Sequence, residues 1–255
     1  MKPIMAKIVL QLTDIHLFAN PAEIIRHCNT DDTLSAVLSQ AKKDHFFKSL
    51  DAIILTGDLA QQGELEAYQR LANHITPLKC PTLWTPGNHD NLLSMKLGFH
   101  GNLPEQHHLI LGCWQIILLN SLWPEHVAGQ LSDIELVKLQ LLLDQNAHLN
   151  TLIGLHHPYA DPYDTSNNAN LLDQPERFLT VLKTHAHISA IVAGHIHQDT
   201  DTFIKGYRQI TTPSTCFQFR EEQGKIIVDP AIPPGYRWLI LHDDGTLETE
   251  ARYLS

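Results

Sequence analysis

A chain of 255 residues, 43% hydrophobic and 18% charged, is long enough to bury a core, and its balance excludes a disordered or fibrous protein. Lys plus Arg number 18 and Asp plus Glu 28, a formal charge of −10 that argues against a broad basic face for a nucleic-acid polymer. The 17 histidines are an excess, and metal binding is the first explanation to test.

The apolar stretch Ile8–Leu12 is too short for a signal sequence, and Asp14 and His16 interrupt it. No window approaches the roughly 20 apolar residues of a membrane helix. Cys28, Cys80, Cys113 and Cys216 form no C-x-x-C pair and lie far apart in sequence, so a reducing, cytoplasmic compartment is expected, with no membrane partner. No linker or repeat divides the chain, and one domain over residues 1–255 is the expectation. Nothing in the sequence signals an oligomeric state.

In chain order, short apolar runs end abruptly in polar clusters. Lys7–Thr13 runs into Asp14-Ile15-His16. A helix is predicted over Thr33–Lys43, with Leu34, Val37, Leu38 and Ala41 on one face and Asp31-Asp32 as its N-cap. Asp51–Thr56 then runs into Gly57-Asp58, and a helix over Glu64–Ile75 follows Gly63. Pro81–Thr85 runs into Pro86-Gly87-Asn88-His89-Asp90. Ser132-Asp133-Ile134-Glu135 has capping-box form, and Leu136, Leu139 and Leu143 continue a helix. Thr151–Leu155 runs into His156-His157-Pro158, and the polar stretch Tyr159–Gln174 is a long connection of the kind that forms lids or is mobile. A helix over Pro175–Thr184 precedes Ile188–Ala193, which runs into Gly194-His195-Ile196-His197. These runs hardly alternate, which marks strands buried on both faces, and their alternation with helices predicts an α/β layered sheet. Thereafter Thr202–Lys205, Tyr207–Thr211, Tyr236–His242 and Thr246–Arg252 read as antiparallel strands that extend a sheet, turned by Lys205-Gly206 and Asp243-Asp244-Gly245.

In open α/β sheets ligands bind beyond the carboxyl ends of the strands, where this chain carries Asp14, His16, Asp58, Asn88, His156, His195 and His197. These donors are too many for one tetrahedral zinc and suit two ions of higher coordination. Asp14/His16 and His195/His197 are i, i+2 pairs, which on extended backbone face one side. Asp58 is the natural bridging carboxylate. Two metals about 3.5–4 Å apart can clamp the attacking and leaving oxygens of a displacement at phosphorus. Two divalent ions, two carboxylates and a bridging hydroxide leave roughly +1, an anion site in an acidic chain. Taken singly, Asn88 reads equally as a turn residue, and His156 or His157 as a core histidine. His45, His74, His107, His185 and the other histidines outside the clusters read as surface or packing residues. No G-x-S-x-G, Walker or G-x-G-x-x-G loop offers another mechanism.

The motifs Asp14-x-His16, Gly57-Asp58, Gly87-Asn88-His89-Asp90, His156 and Gly194-His195-x-His197 resemble, in order, those of the calcineurin-like metallophosphoesterases. Leu12–Ala19, Thr56–Gln61, Gly194–Gln198, Thr212–Phe219 and Pro234–Arg237 are similar to the bacterial class III 3′,5′-cyclic AMP phosphodiesterases. The resemblance implies a four-layer αββα sandwich with two mixed β-sheets and a dinuclear centre. Asp14, His16, Asp58 and His197 would hold one ion, and Asp58, Asn88, His156 and His195 the other. Iron or manganese is implied, with zinc or cobalt tolerated by the same donors. His89 would reach the phosphate, stabilising its charge or protonating the leaving alkoxide, so that His89, Asp58 and Asn88 carry the catalysis. Asp90 would either orient His89 or stabilise the turn. The implied reaction is hydrolysis of 3′,5′-cyclic AMP to 5′-AMP by a metal-bridging hydroxide. The alternative is another small ester, such as a 2′,3′-cyclic nucleotide or a glycerophosphodiester. Ser214–Phe219 and the Tyr159–Gln174 loop are the expected pocket walls. A non-enzymatic scaffold of this family would be expected to lose ligands, and all seven stand here.

Overall fold

Strands whose every side chain is apolar need cover on both faces, and this chain supplies it by stacking two sheets between helices. The computed structural model describes residues 6–163, 170–223 and 225–255. In order, the elements are β1 (Lys7–Leu12), β2 (Ile24–Ile25), β3 (Cys28–Asn29), α1 (Thr30–Ala41), β4 (Leu50–Thr56), α2 (Leu65–Ile75), β5 (Thr82–Thr85) and α3 (Leu92–Phe99). There follow β6 (His108–Leu111), β7 (Trp114–Leu118), α4 (Asp133–Gln145), β8 (Asn150–Gly154), α5 (Pro175–Leu182) and β9 (Ile188–Ala193). The chain closes with β10 (Thr200–Ile204), β11 (Tyr207–Thr211), β12 (Gln218–Glu222), β13 (Lys225–Asp229), β14 (Gly235–Leu241) and β15 (Leu247–Tyr253).

Two mixed sheets result. One has the order β15-β14-β1-β4-β5, with β1, β4 and β5 parallel and β14 antiparallel to β1. The other has the order β10-β11-β9-β8-β7-β6, with β11, β9, β8 and β7 parallel. Three apolar clusters separate four layers. Val9, Ile54 and Leu83 of the first sheet meet Ile116, Leu152 and Val192 of the second. Leu10 and Leu55 pack outward on Leu34, Tyr68 and Phe99 of α1, α2 and α3. Ile117, Ile153 and Ile191 pack outward on Leu139, Leu143 and Phe178 of α4 and α5. The αββα sandwich implied by the motifs is therefore the observed architecture. Among the described residues no helix is long and apolar enough to cross a membrane.

The local expectations hold with instructive exceptions. Helix α1 is capped by Asn29, whose side chain accepts from Asp32 N at 3.0 Å, so Asp31 and Asp32 lie in the first turn and are not the cap. The capping box of α4 is half made. Ser132 Oγ accepts from Glu135 N, but the Glu135 carboxylate accepts from Asn120 N instead of reaching back. The C-terminal strands extend both sheets, since β10 and β11 join the second and β14 and β15 the first. Three features escape the sequence reading. Helix α3 is short and apolar all round, with Leu93 and Leu97 exposed. The β6–β7 hairpin borders the second sheet. The β12–β13 hairpin stands apart from both sheets and shows little burial pattern. Of the long connection, residues 164–169 lie outside those described.

A polar seam ties the two sheets beneath the strand ends. The buried Arg237 on β14 donates to Thr212 Oγ1 and Thr211 O beyond and at the end of β11, to Thr249 on β15, and to Asp199. Thr212 in turn donates to Gln11 Oε1 at 2.7 Å, and Gln11 Nε2 donates to Thr56 Oγ1 at 2.9 Å. Replacing Arg237 by Met should destabilise the fold by about 3 kcal/mol, because these acceptors lose a charged donor in a buried setting. The expected readout is a lower urea midpoint at unchanged m-value.

Candidate metal centre

The parallel strands of both sheets point their carboxyl ends to one edge of the sandwich. Asp14, Asp58 and Asn88 follow β1, β4 and β5 in the first sheet, while His156 and His195 follow β8 and β9 in the second. The segments beyond β1 and β4 stay paired, with Asp14 N donating to Gly57 O and His16 N to Asp58 O. Beyond β8 and β9, Gly194 N donates to His156 O.

The i, i+2 pairs do converge, but not on extended backbone. Asp14, His16, Asp58, His195 and His197 all have left-handed φ, between 51° and 70°. Each such non-glycine residue costs about 1–3 kcal/mol, a strain that the surrounding structure must hold. The left-handed turn throws the side chain back over the strand end. Flanking glycines make room for this. A Cβ on Gly194 would lie 2.0 Å from Thr13 Oγ1 and 2.6 Å from Asp14 Oδ2, and one on Gly87 would lie 2.2 Å from Asp58 Oδ1.

Around the buried Asp58 the donors fall into two sets. Its Oδ2 is 3.7 Å from His16 Nε2 on one side and 3.4 Å from His156 Nε2 on the other. On the His16 side, His197 Nε2 lies 3.3 Å from both His16 Nε2 and Asp14 Oδ1. On the His156 side, His195 Nδ1 lies 3.2 Å from His156 Nε2. Asp14, His16 and His197 form one group whose ligand atoms lie within 4.8 Å of one another, and Asp14, Asp58 and His156 form another. Asn88 lines the same cavity as His16 and Asp58, and its buried Oδ1 has no partner. All seven sequence-predicted donors thus stand at one place.

The hydrogen bonds orient the rings for coordination. His156 Nδ1 donates to Thr56 O at 2.8 Å and His197 Nδ1 to Phe217 O at 2.7 Å, which leaves each Nε2 facing the cluster. Both Asp14 oxygens accept from His195 N, and Oδ2 also accepts from Thr13 Oγ1. Burial lowers His16 to about 3 and His195 to about 4, so both rings are neutral and available as ligands. Burial also opposes charge on His156, but the Asp58 carboxylate outweighs it and lifts the ring to about 9. Burial likewise raises the Asp58 carboxyl, and His156 more than reverses this, holding it well below the usual range. Orphaned Asn88 Oδ1, neutral imidazoles and two ionised carboxylates are a donor set that fits a pair of divalent cations.

Three neighbours take definite parts. The Asp90 carboxylate makes no hydrogen bond to His89. It accepts from Leu59 N, Ala60 N, Gly87 N and Tyr68 Oη, so it braces the loops carrying Asp58 and Asn88. That is the turn-stabilising role, not the orienting one. His89 is exposed in the cavity, and its Nδ1 donates to Gln61 O at 2.9 Å, leaving Nε2 free. A His89 nitrogen also lies within 4.8 Å of donors on His16 and Asp58. His157 is the satisfied core histidine. Val127 O can only accept, so His157 Nε2 carries the proton and Nδ1 accepts from Ser121 Oγ. Sequence reasoning missed Gln61 as the partner of His89, since a backbone carbonyl leaves no residue-type signal.

Comparison with known proteins agrees with this geometry. The family profile described as calcineurin-like phosphoesterase matches residues 8–199. The chain is 38% identical over 256 residues to the 3′,5′-cyclic adenosine monophosphate phosphodiesterase CpdA of Escherichia coli K12, covering 97% of this chain and 90% of that protein. It is 35% identical to the enzyme of the same name from Vibrio vulnificus, with the same coverage of each chain. A 3′,5′-cyclic-nucleotide phosphodiesterase of Nostoc is 30% identical, over 95% of this chain and 90% of the relative. Among solved structures, a dimetal phosphatase from Danio rerio is similar in fold, with a TM-score of 0.64 at 14% identity over 98% of this chain and 99% of that one.

Two substitutions test the supporting shell. Gly194→Ala should displace the Asp14 carboxylate and weaken manganese uptake about 10- to 100-fold, read by calorimetric titration of the metal-free protein. Asp90→Asn sets an amide donor against backbone donors, and should lower thermal stability by about 1–3 kcal/mol in a calorimetric scan.

Proposed function

The chain belongs to the calcineurin-like phosphoesterase family, and we propose that it is a dinuclear-metal phosphodiesterase that opens 3′,5′-cyclic AMP to 5′-AMP. One observation carries the reading: the buried Asp58 carboxylate stands between two sets of imidazole nitrogens, as a bridging ligand must. We assign one ion to Asp14, His16, Asp58 and His197, and the other to Asp58, Asn88, His156 and His195. Iron and manganese are the metals we expect, and the donors also accept zinc or cobalt. The substrate assignment is supported by the names of relatives 30–38% identical over nearly the whole chain. The cavity beside the donors, about 980 Å³, is roomy enough for a nucleotide and large for a bare phosphate ester. The unpaired cysteines accord with the cytoplasmic location we assign.

When bound, two divalent ions would supply Lewis acidity toward phosphoryl oxygens and acidify a water between them. The remaining work falls to the chain. Asp14 and Asp58 hold their negative charge because the buried imidazoles around them outweigh desolvation. Asn88, whose buried amide oxygen has no protein partner, can ligate without adding charge. Water oxygen bonds to phosphorus as the bond to the 3′ oxygen breaks, and the departing alkoxide needs a proton. His89, when doubly protonated, can deliver it from Nε2 while Gln61 O holds Nδ1–H and fixes the ring's direction, and the proton released by the attacking water restores the ring.

The decisive assay compares turnover of 3′,5′-cyclic AMP with that of its 2′,3′ isomer, with manganese or iron supplied and then chelated. Metal-dependent preference for the 3′,5′ ester is expected, and preference for the isomer would move the assignment to another diester. Asp58→Ala and Asn88→Ala should each bring turnover below detection while circular dichroism stays native. His89→Ala should lower kcat by about 10²- to 10⁴-fold at unchanged metal content, whereas loss of metal would make His89 a ligand.

A further inference from the structure

The cavity is wider than the phosphate chemistry requires, and its outer wall is built from elements that belong to neither sheet. Phe217 stands just before β12 and Phe219 within it, both lining the cavity. The Phe217 ring stacks on His16 with centroids 5.8 Å apart and planes at 18°, and the Phe219 ring lies 4.5 Å from His197. Over both rings sits the guanidinium of Arg26, 5.7 Å from the centroid of Phe217 and 5.3 Å from that of Phe219. These are cation–π distances.

Arg26 is held there by a turn that gains little from its residue types. Ile25 pairs with Cys28, so Arg26-His27 is a two-residue hairpin loop, and both residues are left-handed, with φ 48° and 66°. Such loops favour Asn-Gly, and the β10–β11 turn of this chain does place a glycine in its Lys205-Gly206 loop. The β2–β3 turn has no glycine. Its base is pinned to the aromatic segment, because Cys28 Sγ donates to Cys216 O at 3.5 Å. Arg26 is exposed, and its side chain forms no ion pair or hydrogen bond among the described residues. In a chain with 28 acidic residues against 18 basic ones, an arginine that pairs with no carboxylate among the described residues and leans over the cavity is available to a ligand.

A guanidinium is planar as well as charged, and nucleobases stack on such planes as they do on aromatic rings. Building on the phosphodiesterase reading, we propose that Arg26, seated on Phe217 and Phe219, is the nucleobase subsite. This wall selects cyclic nucleotides over phosphodiesters that lack a flat ring. The phosphate itself is served by the donors on the floor and by His89, so Arg26 acts on the distal end of the substrate.

The test uses the manganese-loaded enzyme and two substrates sharing the reacting group: 3′,5′-cyclic AMP and the same cyclic ribose phosphate with hydrogen in place of the base. Arg26→Ala should raise KM for cyclic AMP about tenfold, the size expected for losing one base-stacking contact. Its kcat should change less than twofold, and kcat/KM for the baseless ester should stay within twofold of wild type. Arg26→Lys keeps the charge without the plane and should not restore KM. Equal losses on both substrates would make Arg26 a phosphate-charge or scaffold residue and overturn the subsite, as would an unchanged KM for cyclic AMP. Full rescue by Lys would overturn the stacking role as well. Metal content of each variant, measured alongside, shows that the floor is intact. A wild-type enzyme inactive on cyclic AMP but active on another ester would instead sink the phosphodiesterase reading, and the subsite with it.

Discussion

Two carboxylates buried side by side, paired with no lysine or arginine among the described residues, set the terms for this end of the molecule. Asp14 and Asp58 are both fully buried in the sandwich. Burial alone would protonate them, and the surrounding imidazoles keep them ionised. Yet two of those imidazoles carry no charge of their own. His16 and His195 are pushed to about 3 and about 4 and remain neutral, while His156, at about 9, is held charged beside Asp58. A cluster of this kind is electrostatically incomplete, and under the proposed dinuclear reading cations would complete it and balance the carboxylates. The free amide oxygen of Asn88 belongs to the same account, since it can ligate without adding charge.

Holding the donors in place has a conformational cost that the two stacked sheets absorb. Five of them sit in left-handed backbone at strand ends. This geometry persists because the segments just beyond the strands still pair across the sheet, and because Asp90 ties three backbone N–H groups and Tyr68 Oη to one carboxylate. The polar seam through Gln11, Thr56, Thr212 and Arg237 links both sheets directly below. Rigid parallel strands thus carry the strained turns, and precision comes from the packed layers.

The wall proposed for substrate contact is built differently. The chemistry stands on strand ends buried in the sandwich, whereas the outer wall is assembled from two small hairpins and a long connection, of which Asp161, Tyr163 and Asn170 line the cavity. The inner face of this wall supports the donors, through Phe217 O on His197 Nδ1 and the Phe217 ring on His16, while its outer residues are exposed. Under the proposed function this division would place substrate discrimination mainly on loop and hairpin residues and the chemistry on the strand ends.

Much of this was legible in the order of residues. Apolar runs without alternation gave buried parallel strands, because a strand covered on both faces has no polar side to encode. The carboxylate, amide and imidazole donors at the run ends were visible because their residue types rarely follow such runs by chance, and the motifs carried the αββα architecture with them. The i, i+2 spacing pointed to convergence for the wrong reason, since left-handed φ at non-glycine residues leaves no compositional trace. The choice between His156 and His157 as the core histidine needed Ser121 and Val127, which are distant in sequence. Asp90 and Arg26 found their partners only across the fold. The sequence by itself determined which strands are buried and which donors are present, since burial and chemistry are properties of residue type. Only the tertiary structure decided which donors share a face of Asp58, which ring nitrogen is free and which arginine overhangs the cavity, because those depend on distances that no linear spacing contains.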